Sequence, residues 1–232
     1  MKIRFLPLAL LALAPVQPLH ATAPAERWEP AISAFEEADR ETFPPQFGVL
    51  FIGSSSIRGW RSLERDFPKH DVINRGFGGS WVSDCTYFLD RIVIPYFPKV
   101  IVFYAGENDI NGKTPPEVVS ANFQEFVRQT RALLDDTHIA FISMKPSPRR
   151  WHLAEEKRKG NALIRAFTET DPKLSYIDVF DAMLGPDGTP REELFVGDEL
   201  HMNEAGYELW TEIVGNHLRE IGAPVKREPC CP

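Results

Sequence analysis

The sequence predicts an α/β protein: a three-layer helix–sheet–helix sandwich built on a parallel five-stranded sheet. Two observations carry this. Short, nearly continuous apolar runs alternate along the chain with segments of helical periodicity, and runs without polar alternation suit parallel strands covered on both faces. Each run also ends at or just before a glycine, an asparagine, an aspartate or a Lys-Pro pair. Loops therefore leave the strands at their carboxyl ends, and the alternation calls for right-handed crossovers of the doubly wound kind.

The first residues stand apart from this pattern. Met1-Lys2-Ile3-Arg4 precedes an apolar run from Phe5 to Val16 and small residues around Ala21 and Ala23. That order reads as a secretory signal peptide over residues 1–21, since cleavage after Ala23 would place Pro24 beside the scissile bond. The apolar run is shorter than the ~20 residues a membrane span requires, so stable membrane insertion is not expected. The expected location is secreted or periplasmic. The remaining chain, 22–232, has the size of one domain with a substantial core.

Pro30 to Arg40 reads as the first helix, with Glu36, Glu37, Asp39 and Glu41 as a solvated face. The first strand, Val49-Leu50-Phe51-Ile52, stops at Gly53 and leads into Ser54-Ser55-Ser56. The second, Val72-Ile73, runs into Asn74-Arg75-Gly76-Phe77-Gly78-Gly79, and a helical pattern follows from Trp81 to Ile94. The third, Val100 to Tyr104, ends at Gly106-Glu107-Asn108-Asp109 and is followed by a helix from Pro115 to Leu134. The fourth, Ile139 to Ile142, precedes a loop rich in Pro and Arg, Ser143 to His152, placed near the mouth of any site. A helix from Ala154 to Phe167, a fifth strand from Leu174 to Ile177 and a last helix from Asn203 to Ile221 complete the order. In such sheets ligands bind outside the carboxyl ends of the strands.

A serine hydroxyl needs a histidine base within hydrogen-bond reach and a group to orient that base. Asp198-Glu199-Leu200-His201 offers both, because the short spacing lets the carboxylate reach one imidazole nitrogen while the other faces a serine. The other histidines of the mature chain, His70, His138, His152 and His217, lack a comparable carboxylate spacing.

Taken together, Gly53-Ser54-Ser55-Ser56, Asn74 to Gly79, Gly106-Glu107-Asn108-Asp109 and Asp198 to His201 resemble the four blocks of the SGNH hydrolases, or GDSL-type esterases, from about Gly48 to Tyr207. The resemblance implies a flavodoxin-like fold and a serine esterase that acts on carboxylic esters through an acyl-enzyme. It implies Ser55 as nucleophile, two residues after Gly53 and in register with Trp60, although Ser54 replaces the usual Asp. It implies His201 as base, Asp198 as its orienter, and an oxyanion hole formed by the N–H groups of Ser55 and Gly79 and the side-chain amide of Asn108. Asp109 is expected to brace the loop. The expected substrate is a small-molecule or carbohydrate ester with a short acyl group, because no long apolar lid segment for a lipid chain is evident in the sequence. A lysophospholipase, a thioesterase, an O-acyltransferase and a noncatalytic carbohydrate- or lipid-binding module of the same fold are the alternatives.

Other functions are excluded on the same reading. The formal net charge of -7, with acidic and basic residues interspersed, leaves no footprint for nucleic acid. Gly76-x-Gly78-Gly79 departs from the dinucleotide fingerprint and follows the second strand. No pair of carboxylates stands out for glycoside cleavage, and no Cys-x-x-Cys or Cys/His spacing suggests a metal. Neither cofactor nor metal is expected. Cys85 reads as a small buried residue on a helix and Cys230 and Cys231 as incidental, with a link from the tail to Cys85 or between chains left open. Trp60, Phe77, Trp81 and Trp151 read as core or rim residues, or as the floor of a sugar or acyl pocket.

Overall fold

The computed structural model describes residues 25–226, so the leader and the tail cysteines Cys230 and Cys231 lie outside the described residues. Five strands, β1 (Val49–Gly53), β2 (Val72–Gly76), β3 (Val100–Tyr104), β4 (His138–Ile142) and β5 (Leu174–Ile177), pair in parallel in the order β2-β1-β3-β4-β5. This is the doubly wound order in which the chain turns back between β1 and β3. The loops that leave those two strands diverge there and open a crevice at their carboxyl ends.

Nine α-helical segments are described: α1 (Glu29–Glu41), α2 (Ser55–Arg58), α3 (Leu63–Asp66), α4 (Val82–Tyr87), α5 (Leu89–Ile92), α6 (Glu107–Asn111), α7 (Pro116–Leu133), α8 (Ala154–Thr168) and α9 (Glu204–Glu220). Alternate strand residues point to opposite faces of the sheet, and each face has its own core. Leu50, Ile52, Ile101, Phe103, Ile139 and Phe141 pack under α1, α4, α5, α7 and α8 through Ile32, Val82, Leu89, Phe123 and Ile164. Val49, Phe51, Val100, Val102 and Ile142 pack on the other face under α2, α3 and α9 through Ile57, Leu63, Trp210 and Val214. The predicted sandwich and its strands are therefore present. Among the described residues no helix is long and apolar enough to cross a membrane.

Three local expectations need correction. The helix predicted from Trp81 to Ile94 is two short helices meeting at Phe88, and the second carries Arg91 to α1. There its guanidinium pairs with Glu29 and Glu36. The acidic face of α1 is consequently not all solvated: Asp39 pairs at 2.5 Å with Arg75 of β2, and the two side chains are 12% and 8% exposed. The Pro- and Arg-rich loop also acquires order, since Pro148–Leu153 form a 3-10 turn. Cys85 is fully buried on α4, as expected.

Candidate active site

The exit from β1 fixes the position of the serines. Gly53 has φ +145°, and a Cβ there would stand 1.8 Å from the Tyr104 carbonyl oxygen, so only glycine lets the chain pass this close to β3. The Ser54 N–H then donates to Tyr104 O at 2.9 Å, and α2 starts at Ser55. Ser54 and Ser56 are each 3% exposed, whereas Ser55 is half-buried and alone turns its hydroxyl toward the histidine loop. With Ser at position 54, the serine that lies beside His201 is Ser55.

That loop is built to present one imidazole. Glu199 adopts a left-handed conformation, φ +59°, which folds the four residues into a tight turn. Inside it, the N–H groups of Leu200 and His201 both donate to Asp198 Oδ1 at 2.9 Å, and His201 Nδ1 donates to Asp198 Oδ2 at 2.5 Å. His201 Nε2 lies 3.0 Å from Ser55 Oγ. With Nδ1 holding its proton against the carboxylate, Nε2 is the free acceptor that the serine hydroxyl needs. Partial burial raises the Asp198 carboxyl, but the hydrogen bonds from His201 and Leu200 outweigh it and hold the group at about 2. Asp198 is therefore anionic wherever the protein is folded near neutrality.

The second and third blocks converge on the same place. Phe77 N–H donates to Gly53 O at 2.9 Å, drawing the exit of β2 against the exit of β1. Asn74 reinforces this by donating to Ile57 O at 2.7 Å while accepting from Gly76 N–H at 2.9 Å. Gly79 sits at φ +79°, with Trp28 Cη2 3.1 Å from where a Cβ would be. Asn108 Nδ2 donates to Ser80 O at 3.1 Å, so the amide of the third block is tied to the residue beside Gly79. Asp109 is fully buried and accepts the Val82 N–H, the bracing role expected of it.

Beneath Asn108 lies a group of charges not identified from the sequence. Glu107 accepts from Tyr104 Oη at 2.8 Å, Lys145 Nζ at 3.1 Å and Lys157 Nζ at 3.0 Å. Burial raises the Glu107 carboxyl, but Lys145, Lys157 and Arg150 together bring it well below the usual carboxylate range. Lys145 Nζ also donates to Leu200 O at 2.8 Å, which links the third block to the histidine turn. Arg150 Nη1 donates to Asn108 Oδ1 at 3.1 Å. Only a Glu directly before the Asn, and a Pro- and Arg-rich loop, hinted at this in the sequence.

The remaining candidates separate by burial. Trp60 and Phe77 are core residues, and Trp81 and Trp151 are half-buried. His138 and His217 share the Ser175 hydroxyl, and His70 faces Pro224 O. Among the described residues no three His, Cys, Asp or Glu side chains are grouped to hold a metal ion.

Comparison with known proteins bears on what this arrangement belongs to. No curated protein matches the chain in sequence. Among solved structures, a protein from Streptococcus pneumonia named after platelet activating factor superposes with TM-score 0.75 at 20% identity, over 83% of this chain and 93% of that one. A GDSL-like lipase from Bacteroides thetaiotaomicron VPI-5482 gives 0.65 at 19%, over 85% and 98%. A mutant of an acetyl-xylooligosaccharide esterase from Geobacillus Stearmophilus gives 0.53 at 16%, over 80% and 99%. At such identities the likeness is one of fold. The profile of the GDSL-like lipase/acylhydrolase family matches residues 48–209. Because that match runs from the start of β1 into the first turns of α9, it spans every loop that meets at Ser55, and the chain belongs to the GDSL-like lipase/acylhydrolase family of ester hydrolases.

Proposed function

We propose that the protein is an exported esterase that removes short acyl groups, O-acetyl on carbohydrate among them, through an acyl-enzyme on Ser55. The observation that carries this reading is the line from Ser55 Oγ to His201 Nε2 at 3.0 Å and from His201 Nδ1 to Asp198 at 2.5 Å. Ser55 Oγ bonds to the ester carbonyl carbon as its proton passes to His201 Nε2, and the carbonyl π pair moves to oxygen. The Ser55 and Gly79 N–H groups and the Asn108 amide receive that oxyanion. The pair then returns, the carbon–alkoxy bond breaks, and His201 gives its proton to the leaving alcohol. Water repeats the sequence on the acyl-Ser55 and releases the acid.

The preference for short acyl groups is supported by the lack of a long apolar lid segment in the sequence. The preference for sugar esters is supported by fold neighbours named as an acetyl xylan esterase and an acetyl-xylooligosaccharide esterase. Export is supported by the charged, apolar and small-residue order of residues 1–21.

Esters of graded acyl length, assayed beside acetylated sugars without an added acceptor, test the substrate class. Turnover is expected to fall as the chain lengthens. Ser55→Ala is expected to abolish both turnover and labelling by a phosphonate, while Ser54→Ala and Ser56→Ala retain both. Phosphonate on Ser54 or Ser56, with Ser55 unmodified, would overturn the assignment of the nucleophile.

A further inference from the structure

The loop from Ser143 to His152 places a cation against the side chain assigned to the oxyanion. We propose that Arg150 is a positioning residue for catalysis: it fixes the amide of Asn108 with its nitrogen toward the oxyanion and strengthens that N–H as a donor. The proposal rests on the reading of Asn108 as an oxyanion donor.

An asparagine side chain serves an oxyanion in only one of its two orientations, because one end donates and the other accepts. Here both ends are specified. Arg150 Nη1 stands 3.1 Å from Asn108 Oδ1, and a guanidinium has no acceptor, so the end facing it must be the oxygen. The opposite end meets the Ser80 carbonyl, which can only accept, at 3.1 Å. This uses one N–H of Nδ2 and leaves the second for the substrate. Without Arg150, only the single contact to Ser80 would select the orientation.

Charge supplies the second part of the argument. Glu107 precedes Asn108, and its anion, if uncompensated, would oppose a developing oxyanion. Its two oxygens are held by Lys157 at 3.0 Å and Lys145 at 3.1 Å, whereas Arg150 stands 3.7 Å away. The cluster therefore joins one carboxylate to three cations, and Arg150, the one that bonds to Asn108, is the least engaged by Glu107. Lys145 and Lys157 are each 1% exposed, Glu107 5% and Arg150 14%, so solvent screens these interactions weakly. In that setting a cation on the amide oxygen draws electron density from nitrogen and makes the N–H a stronger donor. The backbone that carries the guanidinium is also held in place. Arg150 departs from helical geometry within its turn, φ -119° and ψ 26°, and its backbone N–H donates to Ser147 O. The adjacent Arg149 N–H donates to Glu199 O at 3.1 Å, fastening the turn to the loop of Asp198 and His201.

The test is a double-mutant cycle on a short acyl ester, with kcat, KM and the thermal midpoint measured for Arg150→Met, Asn108→Ala and the pair. Arg150→Met is expected to lower kcat by about tenfold to a hundredfold, the range for a hydrogen bond to a charged group, with KM within about twofold and the midpoint nearly unchanged. Arg150→Lys is expected to recover part of the loss, since it keeps the charge without the planar fork. In the Asn108→Ala background, Arg150→Met is expected to change kcat by less than about twofold. Full, additive loss in that background would overturn the proposal, as would an effect confined to KM, which would mark Arg150 as a binder of substrate charge. Should Arg150→Met fail to fold, Arg150→Gln takes its place in the cycle. A normal kcat in Asn108→Ala alone would instead remove the oxyanion assignment, and the proposal with it.

Discussion

Asp109, the residue after Asn108, is fully buried and shares one N–H, that of Val82, between its two oxygens at 3.2 and 3.3 Å. Burial pushes its carboxyl up to about 7, and the nearby Asp84 carboxylate adds to the shift against the backbone donors. The folded value lies above the ~4 of an unfolded chain, so between these limits the folded state holds a proton that the unfolded state gives up. Stability from this group is complete below about pH 4 and is lost as pH rises through about 7, with a slope of at most about 1.4 kcal/mol per pH unit. Asp109→Asn keeps an acceptor for Val82 without the charge and is expected to flatten that decline. Urea unfolding from pH 4 to 8 checks this, and an unchanged slope in the variant would assign the pH dependence elsewhere. Ser55, Asn108, Asp109, Asp198 and His201 could be singled out as candidates from the sequence because each block keeps its pattern within a few residues. Arg150 and the two lysines were not, because they reach Asn108 and Glu107 from 38 to 50 residues downstream, and only the fold brings them together.

The same distinction holds for elements. Four of the five strands matched their apolar runs to within a residue, while β2 extends through Asn74, Arg75 and Gly76, two polar residues and a glycine that no apolar pattern would include. Arg75 shows why such a residue is tolerated in a parallel strand. Its guanidinium donates to Tyr96 Oη at 2.9 Å and to Asn74 O at 3.0 Å, pairs with Asp39 of α1, and lies 4.9 Å from the Phe35 ring centre. A buried cation whose partner is removed retains its desolvation penalty, and the usual loss is about 3–5 kcal/mol. Asp39→Ala is therefore expected to destabilise the fold by that amount, with α1 loosening from the sheet. Arg75→Met combined with Asp39→Ala removes both charges and keeps an apolar stem against Phe35, so the double variant is expected to be more stable than Asp39→Ala alone. Chemical unfolding of the three proteins measures the difference. A double variant less stable than Asp39→Ala would mean that the Arg75 guanidinium contributes more through its other partners than through α1.

At the scale of the whole molecule, residues 48–209, the extent of the family match, do not make up the folded unit. On the N-terminal side Ile32 of α1 is fully buried, and Trp28 donates to Asp84 Oδ2 at 2.9 Å while its ring meets Phe77 edge-on at 5.8 Å and lies over Gly79. A residue from outside the match thus braces the second block of the site. On the C-terminal side Trp210, Val214 and Leu218 of α9 have no exposed surface, and the Trp210 ring packs on Tyr104 at 4.9 Å, behind the exit of β3. Burial of those three side chains is worth on the order of 6 kcal/mol, against the ~5–15 kcal/mol that holds a domain of this kind folded. A chain ending at Leu209 is therefore expected to show no cooperative unfolding. A chain beginning at Gln46 loses Trp28, Ile32 and the partner of Arg75 together, and is expected to melt well below the parent and to lose most of its kcat. A chain beginning at Thr22 keeps all three and is expected to match the parent in both. Thermal melts and kcat on a short acyl ester compare these chains, and a chain ending at Leu209 or beginning at Gln46 that unfolds cooperatively with native kcat would show that the helix it lacks covers the site without supporting it.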